Sequence, residues 1–530
     1  MSISFFLECM GKWWGQLSYT VWMYFALLLP LTALIYQLVE KEKRKFVLLI
    51  SSWIFFFTLS KFLLIANIVS SIFVWKLGLI IDGINSDKSL KRKERKKKKQ
   101  RFLILGILAL VLVLLSFKYL DFLGESMAVL LQTFGIAFGW TEIGIIAPVG
   151  ISYYTLESIA YLSDIYWEKT RADGKLINIA LFMSFFPKLI EGPITRYDSS
   201  LGLFTVRDIR YENLAQGYQR ILWGLFKKLV VADQLAPGVE AVYGGNYMDG
   251  GVALFAALIF TIQEYMDFSG AIDIAIGSAK IFGIKLLENF TQPFFAKNAG
   301  DFWHRWHITL GAFFRDYVFY PVSLSRKVSK ISKNAAKIIG NAASRFVTPA
   351  IALFAVWSLS GLWHGPRWTY VFYGLYYFVL ILIENILEKP FLTLLEKLRL
   401  SEASIPVRIF RGIKLLFIVI IGEMFFRAET LIDGFDMFTK IFTDLRFEML
   451  FKHLENINID RWGYVTIILG TLLVAAVDVL KEAGFPIRRN IERLPKPLRF
   501  AFWYVCIFVV IIFGAYGTGY DSVDLIYAQF

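Results

Sequence analysis

Only four histidines occur in the 530 residues, and three of them fall in two short aromatic motifs. DFWHRWHITL carries His304 and His307, and GLWHGPRW carries His364. Imidazole is the side chain whose ordinary pKa, about 6.5, suits proton transfer near neutral pH. In the second motif Gly365 and Pro366 end a helix, while Trp363 and Trp368 bring rings suited to a membrane interface. His364 therefore has two readings, a proton acceptor in a partly dry turn or a group that satisfies a helix terminus. His304 and His307, at i,i+3, are expected to share a helix face. That pair has no third ligand nearby in the sequence, so no metal is expected. His453 lies in FKHLENINIDRW and is given no role.

The elements that must position these groups are apolar. The chain is 57% hydrophobic, 17% aromatic and 19% charged, with a mean hydropathy of +0.55. A soluble domain is about half apolar and about a quarter charged. Here the excess is gathered in blocks: Tyr19–Val39, Phe62–Ile81, Phe102–Phe117, Leu415–Phe426, Tyr464–Leu480 and Phe500–Tyr516. Several approach the ~20 residues a helix needs to cross a bilayer. The chain is a polytopic membrane protein, with roughly 11 to 13 spanning or re-entrant segments expected at this length.

The net charge of +14 follows the positive-inside rule and does not point to nucleic acid. The basic residues sit in polar gaps: KEKRK (Lys41–Lys45), KSLKRKERKKKKQR (Lys88–Arg101), SRKVSKISKNAAK (Ser325–Lys337), EKLRL (Glu396–Leu400) and IRRNIERLPKPLR (Ile487–Arg499). Placing these gaps in the cytoplasm puts the N-terminus outside. Phe46–Leu59 and Phe62–Ile81 then go out and back, and Phe102–Leu120 and Ile145–Ile165 do the same. The tail DSVDLIYAQF falls outside. On this topology His364 lies toward the outer face and His307 approaches from the cytoplasmic one. Cys9 and Cys506 stand at opposite ends, so no disulfide framework is expected. Tyr19–Val39 reads as a retained helix and not as a signal peptide.

Between Leu176 and Pro321 the apolar stretches are shorter and studded with charge: FFPKLIEGPITRY (Phe185–Tyr197), GLFKKLVVAD (Gly224–Asp233), IQEYMDFSGAIDIAIG (Ile262–Gly277) and the His304/His307 segment. Ionisable groups at membrane depth cost about 2.5–3.5 kcal/mol or more each, so they face a cavity or the protein interior. Irregular backbone there needs the same cover. This region is expected to hold the site, with the DFSG stretch as a broken helix.

Taken in order, the motifs resemble the membrane-bound O-acyltransferase (MBOAT) family, in its bacterial alginate O-acetyltransferase branch. The likeness runs through Pro148–Tyr166, Phe185–Tyr197, Gly224–Asp233, Glu264–Gly277, Phe282–Val322, Gly361–Tyr377, Met424–Phe438 and the terminal LIYAQF. Two departures stand out: YPVSLSRKV where the family often has a Gly-Gly-Asn-Arg-like turn, and Pro366, followed by Arg367, where it has a small residue. The resemblance implies an all-α fold, a ring of transmembrane and re-entrant helices around a central funnel or tunnel. It fits one membrane domain over 1–530, with N-terminal helices to 147, a catalytic core over 148–385 and C-terminal helices from 386.

The resemblance also implies that His364 and His307 are the catalytic pair, His364 as base and His307 as the group that meets the thioester carbonyl. Arg305, Arg315, Asp316 and Trp363 are the candidate substrate-binding residues, the first three bracing the His307 helix or meeting donor phosphates. Asp267 is expected either to support the catalytic groups or, the favoured reading, to form a structural hydrogen bond at a broken helix. No bound cofactor is implied. Acetyl-coenzyme A is the expected donor, and an extracytoplasmic polysaccharide or an acetyl-carrying partner protein the expected acceptor, with D-alanyl transfer from a carrier-protein thioester to teichoic acid as the alternative. A transporter without chemistry would carry paired broken segments in its two halves, and none is visible. A scaffold that only recruits a transferase leaves the buried charges unexplained.

Overall fold

The computed structural model describes residues 23–205, 207–244, 249–447, 450 and 459–516. His453, Cys9 and the terminal LIYAQF lie outside the described residues. The described residues are almost wholly helical, and their one extended pairing is an isolated antiparallel bridge between Phe290 and Trp306. Seven stretches among them are long and apolar enough to cross a membrane: Lys41–Ser86, Arg92–Lys118, Gly250–Ile281, Val347–His364, Trp368–Lys397, Arg461–Glu482 and Lys496–Phe513. Charge keeps Ile405–Arg427 out of that count, and length and fusion lower it further. Helices such as Ile151–Tyr166 and Leu176–Ser184 are short, and Lys41–Ser86 contains two helices, Arg44–Ser60 and Leu64–Ser86, parted at a left-handed Lys61.

Apolar side chains are exposed along many of these helices. On Lys496–Phe513, Phe500, Tyr504, Val505 and Ile512 are all exposed. Water would not tolerate so large an uncovered surface, whereas lipid tails suit it. The protein is a multi-pass membrane protein.

The chain divides into two compact units. In the first, Arg44–Ser60, Leu64–Ser86, Arg92–Lys118, Ile151–Tyr166 and Leu176–Ser184 pack on one another. The expected crossing Ile145–Ile165 starts later, at Ile151, because Pro148 lacks an N–H and Gly150 is left-handed at φ 70°. The basic gaps are also more ordered than a loop reading implies. Lys88–Arg101 is helical from Arg92, and Ser325–Lys337 is helical from Arg326.

The second unit holds both histidine motifs. Its framework is the N-terminal part of the Gly250–Ile281 helix, the Val347–His364/Trp368–Lys397 hairpin and Ile405–Arg427. Ala253, Ala256 and Ala257 meet Ile420, Ile421, Met424 and Phe425 in a buried core. The long helix runs unbroken through DFSG, which corrects the expected break. Its charges explain why no break is needed. Lys228 reaches Asp267 at 2.5 Å and Asp233 at 2.7 Å, all three buried. Lys227 donates to Ser269 at 2.8 Å. Both lysines lie on a π-helical turn, Phe226–Ala232, whose wider winding changes the facing of successive side chains.

Candidate active site

The hairpin turn forms as its sequence dictates. Gly365 is fully extended (φ 166°, ψ 174°) and closes the first helix at His364, and the second helix starts at Trp368. Gly361 and Gly374 let the two helices touch backbone to backbone. A Cβ on Gly361 would strike the Tyr370 carbonyl, and one on Gly374 the Trp357 carbonyl. His364 is thereby held at a helix C-terminus, an end that favours positive charge. Its ring is 2% exposed and bordered by aromatic neighbours. Ring centroids lie 5.3 Å away for Trp363, 5.3 Å for Phe426, 5.9 Å for Tyr373 and 6.4 Å for Tyr370.

His307 and His304 do not share a helix face. The first helix of the motif ends at Arg305, Trp306 turns extended to bridge Phe290, and His307 is left-handed (φ 46°, ψ 50°) before the next helix, Ile308–Phe314. His304 is exposed while His307 is 1% exposed. Among the described residues no group of three or more His, Cys, Asp or Glu is placed to hold a metal ion.

Asn289 fixes the His307 kink. Its backbone carbonyl accepts from Ile308 N at 3.0 Å. Its side-chain oxygen accepts from both Thr309 N and Thr309 Oγ1 at 2.9 Å. His307 Nδ1 lies 3.1 Å from the amide nitrogen and 3.3 Å from the oxygen; with that oxygen already accepting twice from Thr309, we take the shorter contact as the bond, the amide nitrogen donating to Nδ1. Nδ1 is then the acceptor, and this hydrogen-bond network assigns the ring hydrogen of the neutral imidazole to Nε2.

The two imidazoles share a neighbour. The Trp363 ring lies 5.7 Å from His307 and 5.3 Å from His364. Phe268 of the long helix packs edge-on to His307 at 4.8 Å. Trp303, one turn before His307, packs on Trp357 and Tyr377 of the hairpin, each at 4.9 Å.

Of the candidate substrate-binding residues, Trp363 joins this group. Arg305 is ion-paired with Glu482 at 2.9 Å and Asp301 at 3.4 Å. Arg315 is half exposed and pairs with Asp316 at 2.9 Å on the π-helical turn Arg315–Phe319. Three participants go beyond the sequence reading: Asn289, Tyr373 and Glu423. Tyr373 donates to Glu423 at 2.9 Å, and Glu423 also hydrogen-bonds with Glu264. Glu423 announces itself, as the one acid in IVIIGEMFF. Asn289 has no comparable signal.

A helical protein with so much lipid-suited surface belongs to the class of polytopic membrane proteins. Comparison with known proteins narrows the class. Residues 169–336 match the model of the MBOAT, membrane-bound O-acyltransferase family. The chain is 32% identical over 452 residues to the probable alginate O-acetylase AlgI of Pseudomonas aeruginosa, covering 85% of this chain and 79% of that one. It is 31% identical over 417 residues to the probable alginate O-acetylase AlgI of Azotobacter vinelandii (79% and 76%). With the peptidoglycan O-acetyltransferase of Helicobacter pylori it shares 32% identity over 309 residues (52% and 54%). The chain belongs to the membrane-bound O-acyltransferase family and is an O-acyltransferase.

Proposed function

We propose that this enzyme moves an acetyl group from acetyl-coenzyme A on the cytoplasmic side to a polysaccharide hydroxyl on the other, directly or through an acetyl-carrying partner protein. The observation that carries the reading is the placement of His307 and His364 about Trp363, both buried. The acceptor class rests on the relatives, whose names refer to alginate and peptidoglycan acetylation.

The chemistry follows from the two imidazoles. A hydroxyl is a poor nucleophile until a base takes its proton, and His364 fills that role, commonly worth roughly 10²–10⁴-fold. The new C–O bond places negative charge on the former carbonyl oxygen. His307 offers its Nε2–H to that oxygen, and loss of one such donor elsewhere costs about 2.7–4 kcal/mol. Collapse breaks the C–S bond, and the proton held by His364 passes to the departing thiolate. Trp363 lines the acyl position. Arg305 braces the His307 segment through Glu482 and Asp301, and Arg315 with Asp316 meets donor phosphates. Because both rings are buried, the reagents reach them along a passage enclosed by the helices.

Purified protein in liposomes tests this. Free thiol should be released from acetyl-coenzyme A in an acceptor-dependent way, and His364→Ala should abolish release with membrane insertion intact. Release only from a D-alanyl carrier-protein thioester would move the reading to teichoic acid. Solute uptake without thioester loss would replace the enzyme with a carrier.

A further inference from the structure

Among the described helices, Arg326–Ser344 is the most strongly divided between a basic and an apolar face. Its N-terminus is capped by Ser325, whose hydroxyl accepts from Val328 N at 3.3 Å. Arg326, Lys330, Lys333 and Lys337 recur at i, i+4, i+7 and i+11, so one stripe is wholly basic, with Lys327 at its edge. Val328, Ile331, Ala335, Ile338 and Ile339 occupy the opposite face. No acidic residue lies between Arg326 and Ser344. The basic stripe therefore has no counter-charge on its own helix.

The apolar face is not covered by protein over most of its length. Ile331 is 50% exposed, Ile339 52% and Ile338 85%. Gly340, at φ 78° and ψ 163°, breaks the helix after about 20 Å. The chain then turns, with Ser332 Oγ donating to Ser344 O at 3.3 Å. Val347, three residues past the helix end, begins a membrane-length helix. Chain connectivity thus puts this amphipathic helix at a bilayer surface. There, isoleucines facing away from the lysines find acyl chains, and the lysines find headgroups.

We propose that Arg326–Ile339 is an in-plane anchor that lies in the interface of an anionic phospholipid leaflet, its isoleucines in the acyl region and its basic stripe against negatively charged headgroups. Charge complementarity selects that occupant, because zwitterionic headgroups give a basic stripe no net attraction. The same anchor fixes where the following helix, with His364 at its far end, enters the bilayer. The proposal is independent of what His364 does.

Spin labels at Ile338→Cys and, separately, Lys333→Cys test it, in full-length protein carrying Cys9→Ser and Cys506→Ala. The protein is reconstituted in phosphatidylcholine alone or with about a third phosphatidylglycerol. With phosphatidylglycerol the Ile338 label should collide several-fold more with oxygen than with a water-soluble nickel chelate, and the Lys333 label the reverse. Removing phosphatidylglycerol, raising salt, or adding Lys330→Gln and Lys337→Gln should expose the Ile338 label to nickel several-fold. An Ile338 label open to nickel in the anionic bilayer would overturn the proposal. So would a label shielded from both reagents, which would mean a protein covers the face, or immersion that ignores lipid charge and salt.

Discussion

Two buried polar clusters, one in each unit, deal with the same solvent in opposite ways. In the first unit Lys188 donates to both oxygens of Glu157, at 2.5 and 2.6 Å, and to Thr195 Oγ1 at 2.8 Å. Thr195 N and Oγ1 in turn donate to Glu157 at 2.9 and 2.8 Å. Charge is matched by charge, and the network closes on itself. In the second unit His307 and His364 are equally buried, yet beside the Asn289 amide at His307 they are bordered by rings: Phe268, Trp363, Tyr370, Tyr373 and Phe426. A closed ion network holds a fold in lipid. Rings around an imidazole make a dry setting, and a dry setting strengthens every charge that develops there.

The comparison can be broken at several points. The largest effect is expected at His364, where His364→Ala should lower acyl transfer by roughly 10²–10⁴-fold while detergent-extracted protein keeps its melting temperature. Next comes Asn289→Asp. The carboxylate still accepts from Thr309 but can only accept from His307, which forces the ring hydrogen onto Nδ1. The turnover number should fall roughly 10²–10³-fold with little change in KM, and imidazole nitrogen NMR should report the switched tautomer. Unchanged turnover with a switched tautomer would remove His307 from the chemistry.

Lys228→Met tests a matched ion cluster that the second unit itself holds beside its histidines, and it should act on stability. It leaves Asp233 and Asp267 buried without their cation, a loss of about 3–5 kcal/mol, read as a lower melting temperature. Adding Asp233→Leu and Asp267→Leu should recover most of it. The smallest effect is expected at the surface. Arg44 donates to Asp208 at 2.8 Å, and that hydrogen bond, helped by Lys41, holds the Asp208 carboxyl below its ordinary value. A depressed folded pKa stabilises above the unfolded value of about 3.9 and is lost as pH falls through the folded one. Asp208→Asn should therefore lower the melting temperature slightly at neutral pH and not at all once the Asp208 carboxyl is protonated in both the folded and the unfolded state.

Much of this was legible in the sequence. The apolar runs Phe62–Ile81, Phe102–Phe117 and Tyr464–Leu480 all lie on membrane-length helices, because hydrophobic length is a local property. Gly365 and Pro366 end the helix at His364 for the same local reason. Long-range pairing was not legible. DFSG reads as a broken helix because a glycine and a charge interrupt an apolar stretch, and Lys228, 2.5 Å from Asp267 in space, stands elsewhere in the chain. HRWH read as helical spacing because its periodicity permits it, and only Asn289 and the Phe290–Trp306 bridge impose the left-handed turn.

The central claim is that both imidazoles act on one acyl group, and a double-mutant cycle tests it most directly. The quantity is kcat/KM for thioester consumption in liposomes, compared among the wild type, His307→Ala, His364→Ala and the double variant. Residues acting as a unit lose little more together than the worse one loses alone, and that is the predicted result. Losses that simply multiply, or a His364→Ala enzyme that turns over like the wild type, would contradict the account.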